Sequence, residues 1–187
     1  KNQRCIMCGI AGYIGINQIS ESNVKKTLFK MKNRGPNGQY VTHIKLRNNN
    51  VYLLHSRLSI IDLNERSNQP MEMDGCTMVF NGEIYNYIEV RKELEKKGRV
   101  FKTNSDSEVL LQSYLQYGRK CVQKLEGMWA FAIFDSKTNE LLLSRDRFAE
   151  KPLFVFKDEN GIFFGSQTSF LKTLMDKPLE VNYNQIC

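Results

Sequence analysis

Trp129-Ala130-Phe131-Ala132-Ile133-Phe134 is apolar at every position, with no alternation between a wet and a dry face. A strand of this kind is covered on both sides. Two stacked sheets with helices outside them provide such cover, and the rest of the chain supplies the parts. Besides 128–135, residues 10–16, 51–55, 77–80, 141–145, 153–156 and 162–165 read as strands. The polar stretches 136–139 and 157–161 each join two of these runs as hairpins.

Helical signals are fewer. Residues 22–32 form one helix, and 86–97 a second, with Tyr87, Val90 and Leu94 on one face and Gly98 as its stop. A third begins at a capping box, Ser105 with Glu108 three residues on, and runs through Leu110, Leu111, Tyr114 and Tyr117 to Gly118.

The 187 residues, 41% hydrophobic and 25% charged, suit one domain with a sizeable core. The net charge of +7 is interleaved with acids, as in Arg91-Lys92-Glu93-Leu94-Glu95-Lys96-Lys97, which reads as a solvated helix face and argues against a nucleic-acid partner. Five cysteines, an odd number without regular spacing, point to a reducing compartment and so to the cytoplasm. Glycines interrupt the apolar run after Lys1 and Arg4, against a signal peptide, and the longest apolar stretch is too short to span a bilayer, so no membrane partner is expected.

Several residues carry chemistry, each with a plainer alternative. Cys8 heads the run Met7-Cys8-Gly9-Ile10-Ala11-Gly12. Were the chain trimmed after Met7, its thiol would have its own α-amine as base; a buried structural cysteine is the alternative. Cys5 and Cys8 have CxxC spacing, but no second pair completes a zinc site, so no metal is expected. Asn81-Gly82 reads first as a type I′ hairpin turn, and second as an oxyanion hole built from the Asn81 amide and the Gly82 N–H. Arg57 interrupts an apolar stretch and needs an anion, either Asp62 or a ligand carboxylate. Asp106 either favours a helix N-terminus or binds a substrate ammonium.

Taken in order, Cys8 to Gly12, Arg34-Gly35-Pro36, the stretch from His55 to Asp62, Gln69-Pro70-Met71, Asn81 to Tyr87 and Ser105 to Leu111 resemble the class II glutamine amidotransferases. Gly127 to Ala132, Arg145-Asp146-Arg147-Phe148 and Lys151-Pro152-Leu153 extend the resemblance over nearly the whole chain. It is nearest to the N-terminal glutaminase domain of glutamine-hydrolysing asparagine synthetases.

The resemblance implies an α+β, four-layer αββα sandwich of the N-terminal-nucleophile hydrolase type, with residues 1–7 as an extension absent from the active chain and 8–187 as the amidotransferase domain. It implies that Cys8 attacks glutamine, that Asn81 and Gly82 stabilise the oxyanion, and that Arg57 holds the substrate carboxylate. Glu83 and Asp106 would lie near its ammonium, and the backbone of Leu58, Ser59, Ile60 and Ile61 would line the pocket.

Ammonia would pass to a C-terminal synthetase domain that holds ATP and Mg2+, with no cofactor in residues 8–187 and a homodimer allowed. Another acceptor, such as a sugar acid, is the alternative within the family. A non-catalytic glutamine-binding module is the alternative if Cys8 stays blocked. Asn37, Ala149 and Glu150 depart from the usual family pattern, Ala149 at a turn where glycine is commoner.

Overall fold

The computed structural model describes residues 7–58 and 68–177. Its elements are β1 (Gly9–Gly15), α1 (Glu21–Met31), β2 (Gly38–Lys45), β3 (Asn50–Arg57), β4 (Met71–Met73), β5 (Cys76–Ile84), α2 (Tyr87–Lys96), α3 (Asp106–Tyr117), a 3-10 helix (Gly118–Lys124), β6 (Gly127–Asp135), β7 (Glu140–Arg145), β8 (Phe154–Asp158), β9 (Gly161–Gly165) and α4 (Thr168–Met175). One sheet runs β2-β3-β1-β9-β8 and the other β4-β5-β6-β7, with every pairing antiparallel.

Strand alternation divides the buried side chains into three layers. On β6, Ala130, Ala132 and Phe134 meet Ile10, Val51, Leu53, Val79 and Phe164 between the sheets. Its other face sends Trp129, Phe131 and Ile133 against Leu110, Leu111 and Tyr114 of α3. The first sheet turns Ala11, Tyr13, Tyr52, Leu54 and Phe163 outwards onto α1 and α4, through Val24, Met31, Phe170 and Leu174. Helices, sheet, sheet, helices is the four-layer α+β sandwich, and the doubly covered β6 lies inside it as its sequence demands.

Both expected hairpins form, β6–β7 and β8–β9. Asn81-Gly82 is a correction: it makes no turn but continues β5, paired with Ala130 and Trp129. The type I′ geometry lies at Asp74-Gly75 instead, with φ of 49° and 86°, closing β4 onto β5. The capping box is half formed. Ser105 Oγ accepts from the Glu108 N–H at 3.3 Å, while the Glu108 carboxylate turns to the N–H groups of Lys102 at 2.8 Å and Thr103 at 2.6 Å. Ala149 has a φ of 58°, so the departure from glycine falls at a strained turn. No helix among the described residues is long and apolar enough to cross a membrane.

Candidate active site

Alternation also gathers the chemistry. On β3, Val51 and Leu53 face the layer between the sheets, so His55 and Arg57 face it too. On β5 the same step from Val79 brings Asn81 and Glu83 to that layer from the opposite sheet. Cys8 lies two residues before Ile10, whose side chain is in the layer, and one register step beyond the Gly9–Ser56 pair. Three separate stretches of chain thus converge at one end of the sandwich.

The thiol of Cys8 is framed by a single residue, Leu58. The Leu58 N–H donates to Sγ at 3.3 Å, and the thiol donates to the Leu58 carbonyl at 3.6 Å. Burial raises the thiol pKa above its ordinary value, and Asp106 adds to the rise. The Leu58 backbone, Arg57 and Arg34 work the other way. The sulfur therefore sits half-buried beside groups that favour its thiolate.

Arg34 ties the peptide around the thiol. Its carbonyl accepts from the Met7 N–H at 3.2 Å and its Nε donates to the Cys8 carbonyl at 3.2 Å. Close approach explains the next residue, since a Cβ on Gly35 would lie 2.4 Å from the Ser56 carbonyl oxygen. Arg57, also buried, donates from Nη1 to the Asn68 side-chain oxygen. Asp62, Ser59, Ile60 and Ile61 lie outside the described residues.

Among the described residues the edge of β5 beyond β4 has no strand beside it, and side chains take a strand's place. The Phe80 N–H donates to the Gln69 side-chain oxygen and the Ile84 N–H to Asp106 Oδ2 at 3.0 Å. Gly82 lies midway between these positions with the same parity, so its N–H turns to the same edge. A side chain there has no room, because a Cβ on Gly82 would lie 2.2 Å from the Met128 carbonyl oxygen. Asn81 beside it is 2% exposed, and among the described residues its Nδ2 has no hydrogen-bond partner. A buried, unpartnered donor of this kind costs roughly 1–3 kcal/mol unless something accepts from it.

Asp106 opens α3 beneath this edge. Burial raises its carboxyl pKa, Glu83 adds to the rise, and the N–H groups of Ile84 and Ser107 oppose it. His55 is fully buried and lowered to about 3: burial dominates, the Phe80 carbonyl works against it, and Arg57 reinforces it. It is neutral at physiological pH.

Sequence reasoning gave no role to Arg34, Gln69 or Asp146. Asp146 is legible only in three dimensions: its carboxylate accepts from the N–H groups of Trp129, Phe148, Glu150 and Lys151 at 3.0–3.2 Å. Burial works to raise its pKa, yet these donors hold it below the usual carboxylate range. Cys76 and Cys121 are buried thiols, each pushed up to about 11 by burial. Among the described residues no group of three or more His, Cys, Asp or Glu side chains could hold a metal ion.

Two antiparallel sheets between helical layers, with a thiol at the head of a central strand, define the class of N-terminal-nucleophile hydrolase folds. The chain belongs to the glutamine amidotransferase domain family, whose model matches residues 7–187. It is 34% identical, over 96% of its length, to a putative glutamine-hydrolysing asparagine synthetase 2 of Methanocaldococcus jannaschii. It is 38% identical, over 88% of its length, to glutamine-hydrolysing asparagine synthetase 1 of Bacillus subtilis. The chain spans only 38% and 26% of these relatives. Among solved structures, a glutamine phosphoribosylpyrophosphate amidotransferase from B. subtilis shares the fold with a TM-score of 0.71 at 18% identity, over 90% of this chain and 44% of that one.

Proposed function

We propose that the chain hydrolyses glutamine to glutamate and ammonia through a thioester on Cys8, and that the ammonia serves asparagine formation by a synthetase region that holds ATP and Mg2+. The observation that carries the reading is the half-buried Cys8 thiol, faced by the Leu58 N–H, together with the Asn81 amide donor on the facing sheet, which has no partner among the described residues. Cys8 Sγ attacks the glutamine side-chain carbonyl. Asn81 Nδ2 and the Gly82 N–H stabilise the oxyanion, ammonia leaves with the proton taken from sulfur, and water then cleaves the thioester.

Arg57 takes the substrate carboxylate, and Glu83 with Asp106 takes its ammonium. Oppositely charged groups at the two ends match a zwitterion, and they orient its amide towards sulfur. The free α-amine of Cys8, with a reference pKa near 8, is the base, so the active chain begins at Cys8 once Met7 is removed. In a Met7–Cys8 peptide the same nitrogen is an amide and cannot accept the proton.

The test is glutamate release from glutamine by a chain translated from Met7, its N-terminus read by mass spectrometry. Release with a free Cys8, lost in Cys8→Ala with the fold kept, is expected. Unchanged release by the Cys8→Ala chain would overturn the mechanism.

A further inference from the structure

Lys151 is buried at the end of the loop that follows β7, and it faces the residue that must be removed from Cys8. Its Nζ donates to Met7 Sδ at 3.3 Å. Among the described residues this thioether is the one acceptor the ammonium meets, and no carboxylate pairs with it. A nearly buried lysine held by a weak sulfur acceptor is unusual, because such groups are ordinarily paired.

The loop leaves the lysine little freedom. The Asp146 carboxylate collects N–H groups from both ends of the segment, including that of Lys151 itself at 3.0 Å, and the Ala149 N–H closes a turn onto the Asp146 carbonyl at 3.1 Å. The Met7 backbone is fixed on the other side by Arg34. Five bonds separate Met7 Sδ from the nitrogen of Cys8, so Nζ lies at most about 10 Å from that nitrogen.

We infer that Lys151 is a positioning residue for the nucleophile: once Met7 is gone, its ammonium faces the new α-amine of Cys8 and keeps that amine neutral, hence basic, near pH 7. The inference rests on the reading of Cys8 as an N-terminal nucleophile. A cation at this range in a partly buried site disfavours a second positive charge, by about half to one pH unit. The charged groups that act on the Cys8 thiol are Arg34 in the turn after α1, Arg57 on β3 and Asp106 on α3, with Glu83 of β5 acting on Asp106. Two of these are cations that act in the same sense as Lys151, and the acids oppose them.

The experiment titrates the α-amine directly. Chains translated from Met7 and carrying Cys8→Ser, which removes the thiol but leaves a free α-amine, are acylated competitively across pH and read by peptide mass spectrometry. In Lys151→Met the amine midpoint should rise by about half to one pH unit, and Lys151→Arg should restore it. A midpoint that does not move in Lys151→Met overturns the inference.

In chains that keep Cys8, the acid limb of kcat/KM for glutamate release should move by the same amount, which a merely structural lysine would not cause. An amine midpoint that shifts in a parent that releases no glutamate would support the role of Lys151 and overturn the glutaminase reading.

Discussion

Asp74-Gly75 and Asn81-Gly82 stand seven residues apart, and both have the composition of a type I′ turn. The first makes that turn, with both φ values positive, while the second runs straight through β5. Local preference is therefore not what separates them. At Asp74-Gly75 a two-residue loop joins strands already adjacent in sequence, and the hairpin costs no other pairing. A turn at Asn81-Gly82 would discard the pairs from Asn81–Ala130 to Ile84–Gly127, together with the hold of Asp106 on Ile84. Non-local pairing wins, and it leaves the asparagine amide in the layer between the sheets and the glycine N–H at an edge that no described strand covers.

The largest effect expected from this difference is on chemistry. Asn81→Ala should lower glutamate release about 10²–10³-fold, the cost of one oxyanion donor, with the fold retained. Asp74→Ala should leave release unchanged. Equal rates for Asn81→Ala and its parent would return Asn81 to a structural role.

The second effect is one of pH. His55 faces the Phe80 carbonyl beside Asn81, and nothing comparable flanks Asp74-Gly75. Its folded pKa of about 3 lies below the unfolded value near 6.5, so in that window the unfolded chain binds a proton that the native one refuses. Stability should thus fall as pH drops below 6.5, by at most about 2 kcal/mol at pH 5. Urea midpoints at pH 7 and 5 read this fall, and His55→Gln should flatten it. Identical slopes would mean that other groups carry the acid sensitivity.

The glycines should differ less than the residues before them. Gly82→Ala places a Cβ against the Met128 carbonyl oxygen within a continuous ladder, which should cost about 1–3 kcal/mol. Gly75→Ala meets Ser136 Oγ at 3.0 Å but must hold a φ of 86°, at about 1–2 kcal/mol. Urea unfolding of the two variants decides; a neutral Gly82→Ala would show that β5 can shift away from β6.

What the sequence revealed follows the same division between local and distant causes. The seven strands read from it, the doubly covered β6 and three helices, two of them glycine-stopped, carry their signals within a few residues. Helix α4 was not legible: Gln167 gives no side-chain cap, and its C-terminus is Asp176 in the left-handed region rather than a glycine. The three residues of β4 are too few to show a period. Strand β2 is an edge strand with no fully buried position and begins at a turn-like Asn37-Gly38, so its pattern is weak.

At the site, Cys8, Arg57 and Asp106 stood out because each is an odd residue for its surroundings. Gln69 did not, because its work is to bind the Phe80 N–H on another element, and Asp146 did not, because it gathers the N–H groups of its own loop together with that of the distant Trp129.

The smallest effect tests the comparison most directly. Asp74→Asn gives the chain two identical dipeptides, Asn-Gly in the turn and Asn-Gly in the strand. Asparagine tolerates the left-handed φ of 49° as well as aspartate does. The substitution also removes the exposed pairing of Asp74 with Arg99 at 3.8 Å, which is worth little. Stability should therefore change by less than about 0.5 kcal/mol, with glutamate release untouched. If tertiary pairing decides, one dipeptide sequence will hold two backbone conformations seven residues apart, and backbone chemical shifts at positions 74–75 and 81–82 will differ as in the parent. Convergence of the two sets of shifts, or a loss of several kcal/mol, would mean that aspartate itself was selecting the turn.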